Sequence, residues 1–189
     1  MEDFHEFRLQ GIGGSDAPII MGVSPWCTYD KLLEEKVSGI VEDQDNYATR
    51  HGKALEKPTL EEFEKRVDDL FAPTRMVSKI RPWLRANFDG ANFDRSRIVE
   101  IKNPLSMKDH LLAKEGYLPP KYYPQCQHLI QVCCEAGFEV NSISYFSHYK
   151  SDYVLLEVPR DEAYIKTLME KEQEFWNKVL ELRKNISIS

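Results

Sequence analysis

The sequence is poor in cysteine and has no long apolar run. Four cysteines occur in 189 residues, so we expect reduced thiols rather than a disulfide framework. No apolar stretch approaches the roughly 20 residues that a membrane-spanning helix needs, and we therefore expect no membrane partner and a cytoplasmic location. Low-complexity segments and internal repeats are also missing from the sequence, which argues against a repeat architecture.

An excess of basic charge is missing as well. Lys and Arg number 25 against 31 Asp and Glu, which gives a formal net charge of −6. This balance argues against non-specific binding to nucleic acid. A metal-dependent nuclease must nevertheless carry carboxylates that its ions neutralise, so the net charge does not exclude that class. The length and the 42% hydrophobic content suit a single domain over residues 1–189.

One stretch of alternating residues combines strand character with acidic and basic side chains. Residues 98–102 are predicted to form a strand with Glu100 and Lys102 on one face. Asp89 precedes a glycine, which is a turn signal, so we expect Asp89 at the end of a strand over residues 84–88. An antiparallel return would bring Asp89 beside Glu100 and create an oxygen site for a divalent ion. The alternative is a surface hairpin with ordinary solvated side chains.

A glycine-rich turn lies near the start of the chain, between Arg8 and Pro18, and is predicted to open into a short helix. Ser15 is a good N-cap, and backbone N–H groups at a helix N-terminus form a natural anion site. Arg8 can add a bidentate phosphate contact. The spacing matches neither a Walker loop nor a dinucleotide-binding pattern, and the alternative is a capped helix without a ligand.

A helical pattern over residues 47–70 places four apolar residues on one face, namely Leu60, Phe63, Val67 and Leu70. Extended back by one turn, the face includes Glu56, and a carboxylate on an apolar stripe is uncommon unless it is paired or holds a metal. Pro58 can instead start the helix, which would leave Glu56 in the preceding turn.

The rest of the chain alternates between helical and strand patterns. Thr28 and Gly39 are predicted to bound a helix, because a threonine caps helix N-termini and a glycine ends helices. The remaining predicted elements are a strand over 75–81, a helix over 106–114, a helix over 122–136, a hairpin over 143–158 and a C-terminal helix from about residue 160.

Taken together, these residues resemble the phage lambda exonuclease-like (viral recombinase-type) branch of the PD-(D/E)XK nuclease superfamily. The resemblance covers nearly the whole chain in five motifs: Arg8 followed by Ser15 in the turn, His51-Gly52-Lys53-Ala54-Leu55-Glu56, Asp89-Gly90, Glu100-Ile101-Lys102-Asn103-Pro104, and Tyr122-Tyr123-Pro124-Gln125-Cys126-Gln127. Each motif is weak alone, whereas five in the family's order are strong. The sequence departs from the family pattern at Asn87-Phe88, before the aspartate, and at Asn103.

The resemblance implies an α/β fold of the restriction-endonuclease type, in which a mixed sheet is flanked by helices. It implies that Asp89 and Glu100 hold Mg²⁺, with Mn²⁺ as a substitute, together with the backbone carbonyl of Ile101. Glu56 would join the metal environment, either directly or through water. Lys102 would orient the attacking water and help to deprotonate it.

The resemblance also implies two further roles at the substrate. Gln125 would form a hydrogen bond near the scissile phosphate, and Arg8 and Ser15 would receive the 5′-terminal phosphate of a DNA strand. The expected activity is therefore a Mg²⁺-dependent, 5′-to-3′ exonuclease on double-stranded DNA. It would release 5′-phosphomononucleotides and leave 3′ single-stranded tails for phage-type recombination by strand annealing.

Relatives of this kind form a homotrimer around DNA and work with a single-strand annealing protein. The resemblance therefore implies double-stranded DNA ends, an annealing protein and two further copies of the chain as partners. For a phage-encoded chain, the location would be the host cytoplasm.

Three other interpretations of the sequence are considered. An iron–sulfur exonuclease would use four cysteines, but two of the four here are adjacent on a predicted helix, where side chains point about 100° apart; they are Cys27, Cys126, Cys133 and Cys134. We therefore expect no iron–sulfur cluster. An endonuclease or structure-specific nuclease of the same fold is the second, and an inactive DNA-end-binding module is the third.

Overall fold

The computed structural model describes residues 4–40 and 47–188. The helices are α1 (Phe4–Leu9), α2 (Ala17–Ile20), α3 (Tyr29–Ser38), α4 (Tyr47–Val67), α5 (Met107–Lys114), α6 (Tyr123–Glu135) and α7 (Glu162–Ile188), with a 3-10 turn at Pro120–Tyr122. The strands are β1 (Phe71–Val77), β2 (Arg85–Asn92), β3 (Ile98–Lys102), β4 (Ser142–Tyr149) and β5 (Asp152–Pro159). Within the described ranges, no helix combines the length and the apolar character needed to cross a lipid bilayer.

The five strands form one mixed sheet in the order β1-β2-β3-β4-β5. Neighbouring strands are antiparallel except for β3 and β4, which are parallel. A parallel pair needs a long crossover connection, and here the crossover contains α5 and α6. The predicted α/β fold class, a mixed sheet flanked by helices, is confirmed.

Helices pack on both faces of the sheet. From α4, Phe63 packs with Val99 and Ile101 of β3 in one apolar cluster. From α6, Leu129 shares a second cluster with Ile98 of the same strand. Because strand side chains alternate between faces, the even-numbered residues of β3 point toward α6. The predicted alternation of β3 therefore places Val99 and Ile101 against α4 and Glu100 and Lys102 on the side of α6.

Several element ends lie where local signals predict them. Thr28 Oγ1 accepts a hydrogen bond from the Lys31 N–H at 3.3 Å, and Gly39 ends α3 with a φ of +73°. Ser106 accepts from the Lys108 N–H at 3.3 Å at the start of α5. These contacts satisfy helix-end groups that have no partner within the helix.

Two predictions around α4 need correction. The helix ends at Val67, and Leu70, expected on the apolar face, is 78% exposed. The next strand begins at Phe71, not near residue 75, because Phe71 and Ala72 already pair with Asn92 and Ala91 of β2. The helix continues through Pro58, so Glu56 lies within it as the helical pattern predicts, and the alternative of a helix that starts at Pro58 is wrong.

The predicted turn at Asp89-Gly90 is instead a bulge inside β2. Across β1, Ala72 pairs with Ala91 and Thr74 with Phe88, so β2 carries one extra residue in between. A Cβ atom on Gly90 would lie 2.8 Å from Val99 Cγ1, and only glycine fits that close approach. The chain turns later, at residues 93–97.

Candidate active site

The bulge places the carboxylate of Asp89 against β3. Asp89 Oδ2 accepts a hydrogen bond from the Ile101 N–H at 2.7 Å. Burial raises the pKa of Asp89, although the Lys102 ammonium and the Ile101 hydrogen bond oppose that rise. Bulges commonly redirect a side chain beside a functional site, and this one directs a carboxylate toward Glu100.

Glu100 lies at the centre of the arrangement and is 2% exposed. Its Oε1 accepts hydrogen bonds from Lys102 Nζ and from Gln125 Nε2, the latter at 2.6 Å. Among the residues that the structure describes, none donates to the buried Oε2 atom. Burial, followed by the negative charge of Asp89, raises the pKa of Glu100 to about 8. Burial and the neighbouring carboxylate thus outweigh the opposing effect of the Lys102 ammonium on the pKa of Glu100.

Lys102 supplies the cation of the group. Burial alone would lower its pKa, but the carboxylates of Glu100 and Asp89 outweigh burial and raise the pKa above its usual range. The Nζ atom also lies 5.2 Å from the ring centroid of Tyr122. The Lys102 side chain is therefore a protonated ammonium at neutral pH.

Glu56 faces the same group from α4. Burial and the charge of Asp89 raise the pKa of Glu56, whereas Lys102 opposes the rise. Within residues 4–40 and 47–188, no three His, Cys, Asp or Glu side chains are grouped closely enough to hold a metal ion. Glu56 thus contributes charge to the site, while the two carboxylates that converge are those of Asp89 and Glu100.

Gln125 comes from the first turn of α6, which follows the 3-10 turn. The glycine-rich turn packs against Gln125. A Cβ atom added to Gly14 would lie 3.4 Å from Gln125 Cγ and 3.1 Å from Leu129 Cδ2, which shows how closely the turn approaches α6. The predicted anion-binding turn is therefore next to the carboxylate group. The structure brings Asp89, Glu100, Lys102 and Gln125 together, with Glu56 within electrostatic reach.

Ser15 and Arg8 have different surroundings from those predicted. Asp16, not Ser15, occupies the N-cap position of α2, and its side chain makes no capping hydrogen bond. Ser15 is exposed on the turn. The Arg8 guanidinium forms an ion pair with Asp16 Oδ1 at 3.3 Å and keeps 30% of its side-chain surface exposed. The prediction of Ser15 as an N-cap is wrong, because α2 begins one residue later.

Sequence reasoning missed Asp16. Its buried carboxylate lies 2.7 Å from Lys36 Nζ and accepts from the Gly13 N–H at 2.9 Å. Burial alone would raise the pKa of Asp16, but Lys36 and then Arg8 lower it to about 2. This network fixes the turn to α1 and α3. An acidic residue directly before the apolar run Ala17–Ile20 was the available signal, because a buried charge needs a partner.

Comparison with known families and proteins identifies the family of the chain. The model of the YqaJ-like viral recombinase domain matches residues 3–139, well over half of the chain. The chain belongs to this family. The predicted viral recombinase-type family is thus confirmed. The chain is also 31% identical over 180 residues to the uncharacterized protein YqaJ of Bacillus subtilis (strain 168), covering 90% of this chain and 53% of that protein. It therefore spans about half the length of that relative.

Solved structures share the fold. An alkaline exonuclease (LHK-Exo) from Laribacter hongkongensis superposes with a TM-score of 0.81 at 19% identity, over 100% of both chains. LHK-Exo in complex with dAMP gives a TM-score of 0.79 at 19% identity over 96% of each chain. A phage-related exonuclease from Haemophilus somnus 129PT gives 0.63 at 12% identity over 95% of this chain and 96% of that one. At these identities the likeness shows the fold.

Proposed function

We infer that this member of the YqaJ-like viral recombinase family is a Mg²⁺-dependent exonuclease. It would degrade the 5′-ended strand of double-stranded DNA to 5′-phosphomononucleotides and leave a 3′ tail. The observation that carries this proposal is the convergence of Asp89, Glu100, Lys102 and Gln125 at the bulged strand pair. The shared fold with proteins described as exonucleases, one of them solved with dAMP, supports it.

The residues present fit a divalent metal ion. Mg²⁺ is commonly held by one or two carboxylates and several waters, which agrees with the pair of Asp89 and Glu100. The buried Glu100 Oε2, to which none of the described residues donates, is suited to a metal bond. The Ile101 carbonyl would complete the protein ligands, with Glu56 acting through water. When bound, Mg²⁺ or Mn²⁺ supplies charge stabilisation to phosphate oxygens and lowers the pKa of water.

Lys102 acts in this proposal as a fixed positive charge. A protonated ammonium cannot accept a proton, so Lys102 would donate a hydrogen bond to the attacking water and stabilise its ionised form electrostatically. Its contact with Glu100 holds the ammonium in place before substrate arrives. Such pre-orientation avoids reorganisation during the reaction.

Gln125 would connect the reacting group to the DNA end. Its amide N–H holds Glu100 at 2.6 Å, and its position beside the glycine-rich turn would place it near the scissile phosphate. The exposed Ser15 hydroxyl and the partly exposed Arg8 guanidinium would then receive the 5′-terminal phosphate, since charged groups and hydroxyls bind phosphate oxygens well. This pocket would favour cutting at ends over internal cutting.

End-labelled duplex DNA tests the proposal. Duplexes labelled at the 5′ or the 3′ end, carrying a 5′-phosphate or a 5′-hydroxyl, are digested with Mg²⁺, with Mn²⁺ and with EDTA. We expect metal-dependent release of mononucleotides from the phosphorylated 5′ end. Rapid cutting of covalently closed circles would instead support an endonuclease, and binding of ends without hydrolysis would support an inactive end-binding module.

Two assembly proposals rest on the family resemblance alone. A homotrimer encircling DNA would explain processive digestion without tight binding, and light scattering at several concentrations tests it. A single-strand annealing protein would take over the 3′ tail, and the gene product tested first should be one encoded beside this chain.

A further inference from the structure

An aromatic row extends from the proposed reacting group to the protein surface. Lys102 Nζ lies 5.2 Å from the ring centroid of Tyr122. Trp26 stacks with Tyr122 at a ring-centroid distance of 6.0 Å and an interplanar angle of 28°. Lys121 Nζ lies 4.7 Å from the Trp26 centroid and 5.2 Å from that of Tyr122. Two ring contacts thus connect the ammonium of Lys102 to the indole.

Trp26 is 61% exposed, although a residue with a large apolar ring is usually buried. Its loop is held by backbone hydrogen bonds, since the N–H groups of Val23 and Ser24 both donate to Pro18 O, at 2.9 and 3.1 Å. The backbone N–H of Trp26 donates to Ser24 Oγ at 3.3 Å. The loop therefore holds a largely exposed Trp26 beside Tyr122 and Lys121.

A groove of about 690 Å³ is lined in part by Lys121, the lysine beside the indole. Its lining includes the apolar residues Val23, Pro25 and Leu111, and it carries two lysines, Lys108 and Lys121, and two acidic residues, Asp109 and Glu115. Lys121 is fixed by an ion pair with Asp109 at 2.7 Å. The charges of the lining are balanced, so the part that suits a ligand both aromatic and anionic is the exposed Trp26 with the Lys121 ammonium beside it.

We propose that Trp26 and Lys121 form a stacking shelf for an unpaired nucleobase of single-stranded DNA beside the reacting group. The shelf rests on the proposed function, which it deepens by assigning a contact for the strand outside the reacting group. The indole stacks on the base, and Lys121 attracts the neighbouring phosphate. Every base has a π-face, so the contact is independent of sequence.

The occupant is single-stranded because bases in a duplex already stack on their neighbours. Only a frayed end or an unpaired strand exposes a base face to the indole. The continuity of Trp26, Tyr122 and Lys102 also favours DNA over a protein partner, since it ends at the group proposed to hydrolyse a phosphodiester. A shelf at this place would hold the strand in register with the site.

Binding of short 5′-phosphorylated oligothymidine in EDTA tests the shelf without hydrolysis. Tryptophan emission of the wild-type protein should be quenched on binding. Trp26→Phe should keep the affinity within about threefold but lose the quenching, because phenylalanine still stacks. Trp26→Leu should weaken binding about tenfold or more. A purely structural role for Trp26 would not separate affinity from quenching in this way.

Phe93→Leu is the matched control. Phe93 is a fully exposed aromatic residue in the β2–β3 turn, and Lys102 lies at the other end of β3. The Phe93→Leu protein should bind the oligothymidine as tightly as the wild type. The proposal is overturned if Trp26→Leu binds as tightly as the wild type, or if quenching persists in Trp26→Phe. Digestion of duplex DNA with Mg²⁺ separates the two proposals. Digestion without any Trp26 effect refutes the shelf alone, whereas quenching without digestion refutes the proposed function alone.

Discussion

The carboxylate of Asp89 replaces a strand carbonyl: its Oδ2 accepts the Ile101 N–H at 2.7 Å. The backbone ladder between β2 and β3 pairs Gly90 with Val99 and Ala91 with Ile98, and beyond it the side chain continues the hydrogen bonding. This bond ties an acidic side chain to the backbone beside Glu100. The reacting group is therefore part of the sheet, which keeps its geometry fixed before substrate binds.

Lys102→Ala should slow DNA hydrolysis by orders of magnitude without preventing DNA binding. Removing the ammonium removes a positive charge beside the attacking water, and such groups typically contribute about 10² to 10⁴ in rate. Single-turnover digestion with Mg²⁺ measures the loss, and end binding in Ca²⁺ should stay within about threefold. Lys65→Ala, which removes an exposed lysine of α4, should have no effect. Near-normal cleavage by Lys102→Ala would refute the role assigned to Lys102.

Gln125→Leu should slow hydrolysis about tenfold to a hundredfold. The substitution keeps much of the side-chain volume but removes the N–H that holds Glu100 Oε1 at 2.6 Å, so the carboxylate can leave its position. The rate of mononucleotide release at saturating Mg²⁺ is the measurement. Gln173→Leu, at a residue of α7 that bonds Asn177, is the control. Equal rates for wild type and Gln125→Leu would show that the hydrogen bond has no part in the reaction.

Ser15→Ala should weaken the preference for a 5′-phosphate. Ser15 is exposed on the turn, so its substitution should change the free energy of unfolding by less than about 0.5 kcal/mol. The ratio of digestion rates for 5′-phosphorylated and 5′-hydroxyl duplexes should fall about tenfold, because one hydrogen bond to a charged group is lost. An unchanged ratio would remove Ser15 from the proposed phosphate pocket, and a large loss of stability would reveal a structural role instead.

Asp16→Asn should destabilise the fold in a pH-dependent way. The pKa of Asp16 is lowered from 3.8 to about 2, so its ionised form contributes about 2 kcal/mol of stability above pH 4, and this is lost as the pH falls toward 2. At pH 7 the substitution also leaves the buried Lys36 charge uncompensated, which costs about 3–5 kcal/mol. Urea unfolding at pH 7, 5 and 3 should show the difference between the two proteins shrinking as the pH falls. A constant difference would contradict the pairing with Lys36.

Local signals predicted most elements but not how they meet. The Thr28 cap, the Gly39 end of α3 and the alternation of β3 depend on neighbouring residues, and they lie as predicted. The prediction of a turn at Asp89-Gly90 was wrong because the same dipeptide suits both a turn and a bulge. Which of the two forms depends on the close approach of Val99 to Gly90 across the sheet. Leu70 misled because the helical pattern continued past the actual helix end at Val67.

The sequence by itself determined the strand that carries Glu100 and Lys102, the order of the motifs and the family, since these depend on short-range patterning and residue identity. Only the tertiary structure decided which side chains converge. Gln125 reaches Glu100 from 25 residues away, and Lys36 neutralises the buried Asp16 from a separate helix. Burial and long-range packing select such partners, and no local periodicity encodes them.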